Sequence, residues 1–222
     1  MRRALLLLSL LAAAALAAGS AYATSVTVQI TGTWDDVVDT ANVANSTLAV
    51  GGSFTATLVY DDATPDGNPG NPSIGQYLFS PGSSDVVLES GDYTFSLAST
   101  SMIDFGVTNN LAGQDGFGFL AEYFTTSGPL SAGSTGYGYA NPALFDSTAT
   151  AQSSDALTAL PWEATEYNNK SFYFIIEVLG VGSGQYIELS GDIEQLNVLP
   201  EPSFIALIAV AFGACARIRR RG

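Results

Sequence analysis

Histidine is absent from the 222-residue chain, and cysteine occurs once, as Cys215. Without histidine there is no Ser-His-Asp triad and no imidazole-bound metal. With its single cysteine so near the end, the body has no thiol nucleophile, no thiolate zinc site and no disulfide. Most hydrolase classes fall away with those side chains. Basic residues are almost as scarce: of seven Lys and Arg, six (Arg2, Arg3, Arg217, Arg219, Arg220 and Arg221) lie at the two ends, leaving Lys170 between them. All 21 acidic residues fall between Asp35 and Glu201, so the stretch between the basic ends carries a net charge of −20. Such a stretch repels nucleic acid and anionic membrane and favours cations, basic partners or plain solubility. Lys170, in the Asn168-Asn169-Lys170-Ser171 turn beside a predicted strand, reads as a solvated lysine and not as half of a Ser-Lys dyad. No catalytic residue is assigned.

The two basic ends are built differently. Met1-Arg2-Arg3, the apolar stretch 4–18 and Ala21-Tyr22-Ala23 form the positive, apolar and small-x-small segments of a signal peptide, residues 1–23. Signal peptidase is expected to cut after Ala23, with Ala21 and Ala23 as its recognition residues. At the other end Pro200, Glu201 and Pro202 precede an uncharged run, residues 203–216, and then Arg217, Arg219, Arg220 and Arg221. The run favours lipid, and the arginines hold its end on the cytoplasmic side. Its 14 residues reach only about 21 Å as a helix, against a hydrocarbon core of about 30 Å. That length suits a transient stop in the membrane better than a lasting anchor. The prolines keep the preceding segment extended and accessible to an enzyme at the membrane face.

Val198-Leu199-Pro200-Glu201-Pro202-Ser203, the short apolar helix and the arginine-rich end resemble the PEP-CTERM sorting signal of exported proteins. The resemblance implies a Gram-negative bacterium with an extracellular polysaccharide system, recognition by a membrane-embedded exosortase, and release or attachment at the cell surface. The sortase signal is the rival label. Leu199-Pro200-Glu201 fits it, but Pro202 and Ser203 replace the Thr-Gly pair that sortase cuts.

Between the ends, residues 24–198 read as one body, and the tail as residues 199–222. Apolar and polar residues alternate with period two through Val26, Val28 and Ile30, through Phe54, Ala56, Leu58 and Tyr60, and through Tyr93, Phe95 and Leu97. Further strands are expected at 85–88, 102–107, 116–123, 172–179, 185–189 and 192–198, and one helical turn at 154–160. Gly51-Gly52, Asp66-Gly67-Asn68-Pro69, Pro81-Gly82 and Gly182-Ser183-Gly184 separate them. Short strands with polar turns predict an all-β fold, a single β-sandwich of jelly-roll type. Phe54 to Asp61 with Thr64-Pro65-Asp66, Gly75-Gln76-Tyr77, Gly91 to Phe95, Ser153 to Leu157 and Ser190 to Ile193 resemble an all-β domain that often precedes this sorting tail. That domain family has no settled activity.

Three binding chemistries suit the body. Asp61, Asp62, Asp66 and Asn68 offer calcium its oxygen ligands around a glycine turn; the same residue types also serve the geometry of a long hairpin loop. Trp34, Trp162 and a Tyr137-Gly138-Tyr139 hairpin offer rings on which sugars stack, with Trp162 also suited to plugging the end of the core. Paired carboxylates would make a glycan hydrolase, but no pair is marked out. The expected function is that of a secreted, surface-sorted, non-enzymatic protein of the extracellular matrix or biofilm. The alternative is a carbohydrate-binding module, with or without calcium, and extracellular polysaccharide is the expected partner.

Overall fold

The alternating segments become strands, because period-two residues present one apolar face that only a second face of the same kind can cover. A computed structural model describes residues 25–199, apart from residues 41, 43, 45, 129–135, 161 and 179–183. The signal-peptide residues and the sorting tail from Pro200 onward lie outside the described residues. The described residues form ten strands: β1 (Ser25–Asp39), β2 (Ser53–Asp61), β3 (Ile74–Phe79), β4 (Asp85–Ser90), β5 (Tyr93–Leu97), β6 (Ile103–Leu111), β7 (Gln114–Ser127), β8 (Gly136–Asp146), β9 (Asn169–Glu177) and β10 (Tyr186–Leu199). Single 3-10 turns at Leu157–Ala159 and Ala164–Glu166 interrupt the link from β8 to β9. The first falls inside the helical turn expected at 154–160.

All the strand pairings are antiparallel and belong to one sheet, in the order β3-β6-β7-β5-β4-β2-β1-β10-β9-β8. An additional pairing of β7 with β8 joins the sheet to itself, so eight strands form a closed barrel while β6 and β3 extend from the flank of β7. This corrects the expectation of a β-sandwich of two sheets. The fold is all-β as expected, but the hydrogen bonding runs unbroken round the barrel. Closure leaves fewer open edges on which another chain could add a strand.

Closure depends on β7 serving three neighbours. On one edge its first half pairs with β6 from Thr108↔Gly116 to Ile103↔Ala121, and its second half with β5 from Leu97↔Phe124 to Thr94↔Ser127. The other edge carries β8. The partners change at Tyr123, whose φ of 64° is left-handed backbone that a bulky side chain seldom adopts. Between the two ladders its carbonyl accepts the Ala98 N–H at 2.8 Å and the Ser101 hydroxyl at 3.4 Å. Opposite, the register with β8 slips between Glu122↔Tyr139 and Phe124↔Gly136, a bulge that turns the strand.

The barrel interior is apolar and aromatic. Phe54, Ala56, Leu58 and Tyr60 of β2 face inward with Val28 and Ile30 of β1, Phe95 of β5 and Phe172, Phe174 and Ile176 of β9, all buried. Outward positions are mostly polar, the reverse of a barrel whose outer surface meets lipid. Among the described residues no helix is long and apolar enough to cross a membrane. Trp34 holds one end of the core. It is 1% exposed, stacks on Phe54 with centroids 4.3 Å apart, and donates its indole N–H to Ser90 Oγ at 2.8 Å. Its backbone also bonds Gly51 and Gly52, tying the loop before β2 to β1. Beside it, Gly32 and Gly191 let β1 and β10 approach so closely that a methyl on either would meet the Asp192 or the Thr33 carbonyl oxygen.

Replacing Trp34 with alanine removes the stack, the buried hydrogen bond and the packing of a large side chain at once. Denaturant unfolding should show a loss of about 3–5 kcal/mol. A loss below about 1 kcal/mol would mean that Trp34 is not a centre of the core.

Candidate functional site

Two sets of acidic residues turn out to be structural. In the loop from Asp61 to Asn71, Asp61 Oδ1 accepts the Ala63 N–H at 2.9 Å, and Asp66 Oδ1 accepts the N–H groups of Asn68 and Gln76 at 2.8 and 2.9 Å. Asp62 lies close enough to the Tyr60 phenol to act on it, and the Asn68 carbonyl accepts the Asn71 N–H at 3.1 Å. The Asp61–Ala63 and Asp66–Asn68 bonds are those of Asx turns, and the Asp66–Gln76 bond ties the loop to β3. Among the described residues no three acidic side chains converge as a cation would require.

The second set is a buried pair on adjacent strands, Asp115 of β7 and Asp146 of β8, directly opposite each other in register. Asp115 accepts the N–H groups of Asn110 at 2.6 Å and Gln152 at 2.8 Å. Asp146 accepts the N–H groups of Thr148, Thr150 and Ala151, the hydroxyls of Thr148 and Thr150, and the amide of Asn168. These donors, the Thr150 N–H foremost, hold the Asp146 carboxyl well below its ordinary value of 3.8. Together the two carboxylates fasten residues 147–152 to the barrel end. The link to β9 then brings Trp162 against Phe117, Tyr60 and Phe105 with centroids 4.8, 6.0 and 6.3 Å apart, and Tyr167 against Phe117 at 5.3 Å. Trp162 therefore plugs the core end, and Trp34 is buried at its other Phe cluster. Trp34 is closed to a sugar, whereas Trp162 is half-buried and lines an open hollow of about 620 Å³ with Leu160, Glu163, Glu166 and Leu196.

Tyr137 and Tyr139 have the opposite fate. Both lie on the outward side of β8, and three tyrosines from other strands join them. Tyr123 meets Tyr137 edge to face at 5.5 Å, Tyr137 lies 6.4 Å from Tyr139, and Tyr139 stacks on Tyr173 of β9 at 5.4 Å. Tyr186 stands opposite Glu177, on the strand beyond β9. Tyr123 is 52% and Tyr137 47% exposed, an aromatic cluster of the kind that marks a binding surface. Tyr137, Tyr139, Ile175, Glu177, Gln185 and Tyr186 surround a concavity of about 250 Å³. Carboxylates alternate with the rings: Glu122 stands opposite Tyr139, and Glu188 opposite Ile175. The Tyr137 hydroxyl donates to Glu122 Oε1 at 3.1 Å, which raises its pKa. Burial first, then the Tyr139 hydroxyl and Glu188, push the Tyr173 phenol up as well. Both are held as neutral phenols, with one face for apolar contact and a hydroxyl for hydrogen bonding.

No family model, curated protein or solved structure matches this chain. Its chemistry therefore has to be argued from the face itself. Of that face the sequence marks only Tyr137 and Tyr139, two residues apart on one strand. Tyr123, Tyr173 and Tyr186 come from three further strands, and only the register brings them together. The residues expected to act in processing, namely Ala21, Ala23, Pro200, Glu201, Pro202, Arg217, Arg219, Arg220 and Arg221, lie outside the described residues.

The Asp146 network sets an acid limit. A carboxyl with a depressed folded-state pKa contributes its stability above the ordinary carboxylate value and loses it as pH falls below that value. Thermal melts should therefore drop steeply below about pH 4, and Asp146→Asn should lower stability at neutral pH while flattening that drop. Parallel wild-type and variant curves across the acid range would remove Asp146 from this role.

Proposed function

We propose that this chain is an exported, surface-sorted interaction protein that holds extracellular polysaccharide on the tyrosine face of its barrel and has no enzymatic activity of its own. The observation that carries the reading is the outward row of Tyr123, Tyr137, Tyr139 and Tyr173, with Tyr186 beside the concavity. Rigid aromatic rings on a closed sheet cost little entropy to present, and each pairs an apolar surface with a hydroxyl, the combination a pyranose ring offers in return. A hollow of about 250 Å³ is smaller than the pockets of roughly 300–1,000 Å³ that enclose drug-sized ligands, and it suits one unit of a polymer lying across a surface.

A glycan hydrolase fits the geometry less well. Asp115 and Asp146 are the carboxylates brought closest to a pair by the register, and both are buried and filled with backbone donors. A glycosidase needs its two carboxyl groups facing a cleft with a sugar between them. Surface sorting rests on the ends of the chain. The signal segment 1–23 supports export, and Pro200-Glu201-Pro202 before a short apolar run and four arginines supports processing by an exosortase.

Two measurements test the reading. On a glycan array and in affinity electrophoresis, the purified protein should bind polysaccharide. A combined Tyr137→Ala and Tyr139→Ala change should weaken that binding by roughly 10-fold or more, with melting temperature little changed because both rings lie outside the core. Unaltered binding in this variant would remove the tyrosine face from the function. Mass spectrometry of the surface or released form should find a start at Thr24, an end near Pro200-Glu201-Pro202, and no peptide from residues 203–222. Persistence of those peptides would mark an ordinary tail-anchored protein.

A further inference from the structure

The tyrosines do not stand on a neutral surface. Glu122, Glu177 and Glu188 occupy the outward positions between them on β7, β9 and β10, and Glu177 lines the concavity beside Tyr137 and Tyr186. Among the described residues the only cation is Lys170, which pairs with Leu144 near the start of β9. Seven residues along an extended strand place it about 23 Å from Glu177. Three carboxylates and five electron-rich rings therefore share one face without a positive side chain to balance them.

We infer that the face takes amino sugars whose nitrogen is free and protonated, so that the occupant is a polysaccharide at least partly de-N-acetylated. This deepens the glycan reading and rests on it. The chemistry is complementary at each point. An ammonium group on the sugar ring meets a carboxylate without having to displace a lysine or arginine, and the faces of the neighbouring tyrosines attract the same charge through their quadrupoles. The apolar side of the ring covers tyrosine, while the phenol hydroxyls reach the sugar hydroxyls. A uronic acid would be repelled by all three carboxylates, and a neutral sugar would offer them hydroxyl donors but no opposite charge.

The purified protein is titrated calorimetrically, at about 0.15 M salt, with four tetrasaccharides: an N-acetylhexosamine, the same oligomer after de-N-acetylation, a neutral glucan and a uronic acid. The de-N-acetylated form should bind about tenfold more tightly than its acetylated parent, the gain expected from one ammonium placed against a ring and a carboxylate. Glu177→Gln and Glu122→Gln together should shrink that preference to about twofold. Asp85→Asn, on β4 across the barrel, should leave it intact, which separates a local site from the attraction of an acidic protein for any cation. Should the glutamate variant melt early, the wild-type preference is followed against rising salt instead, and it must fall. Equal or tighter binding of the acetylated or neutral oligomer overturns the amino-sugar inference while leaving the glycan reading in place. A preference that Asp85→Asn reduces as much as the glutamate changes do, or that salt leaves untouched, overturns it also. Failure to bind any of the four overturns both.

Discussion

The barrel closes because one strand changes partners halfway along. β7 has to hand its edge from β6 to β5 while keeping β8 on the other side, and an unbroken pleat would leave the backbone groups at the changeover without partners. The left-handed turn at Tyr123 resolves this by aiming its carbonyl at Ala98 and Ser101. A strained backbone of this kind persists only where its surroundings over-determine it, and here ladders on both edges do so. The same kink leaves the Tyr123 ring outside, against Tyr137, so the device that closes the fold also supplies part of the exposed face. Architecture and surface chemistry are thus not independent at this position.

Within the excess of acid, conspicuous in composition, two populations stand out once the fold is known. Asp61, Asp66, Asp115 and Asp146 accept backbone N–H groups and so stand in for missing main-chain partners in turns and at the barrel end. Short side chains with good acceptors are what turns select, and at Asp146 the donors favour the ionised form, so its charge is part of the task. Glu122, Glu177 and Glu188 are different. They project outward from strands, Glu122 beside the β7 bulge and Glu177 at the end of β9, and they stand among the tyrosines. Net charge alone could not distinguish the two kinds, because both contribute equally to it.

Much of the strand pattern was legible. Val28 and Ile30, Phe54 to Tyr60, and Tyr93 to Leu97 alternate cleanly and are buried as the alternation requires. Two strands were not. β3 is short and lies between Asn71-Pro72 and Ser80-Pro81, so its breakers outweigh its apolar residues. β8 carries Gly136, Gly138 and Pro142, which read as loop. Pro142 is accommodated because the ladder to β7 passes from Ala121↔Ala140 to Gly118↔Ala143 around it, while the pairing to β9 continues through Pro142↔Phe172. Residues 185–189 and 192–198, expected as two strands, are one, since Gly191 lets β10 cross β1 closely without breaking. The choice between sandwich and barrel was not legible either. It rests on which strands pair across the seam, a long-range matter that alternation does not encode.

β10 also sets a distance. At one end Leu199 pairs with Thr27, and at the other Tyr186 stands beside the tyrosine concavity. Thirteen residues at about 3.3 Å each separate those ends by roughly 43 Å. Charges are screened over about 8 Å at physiological ionic strength, so the length of the strand amounts to roughly five screening lengths. Under the proposed function, a charge held at the Leu199 end acts only weakly on the tyrosine face along the length of this strand. On that reading the strand is a standoff, and among the described residues the charges nearest the proposed ligand are Glu122, Glu177 and Glu188 of the face itself.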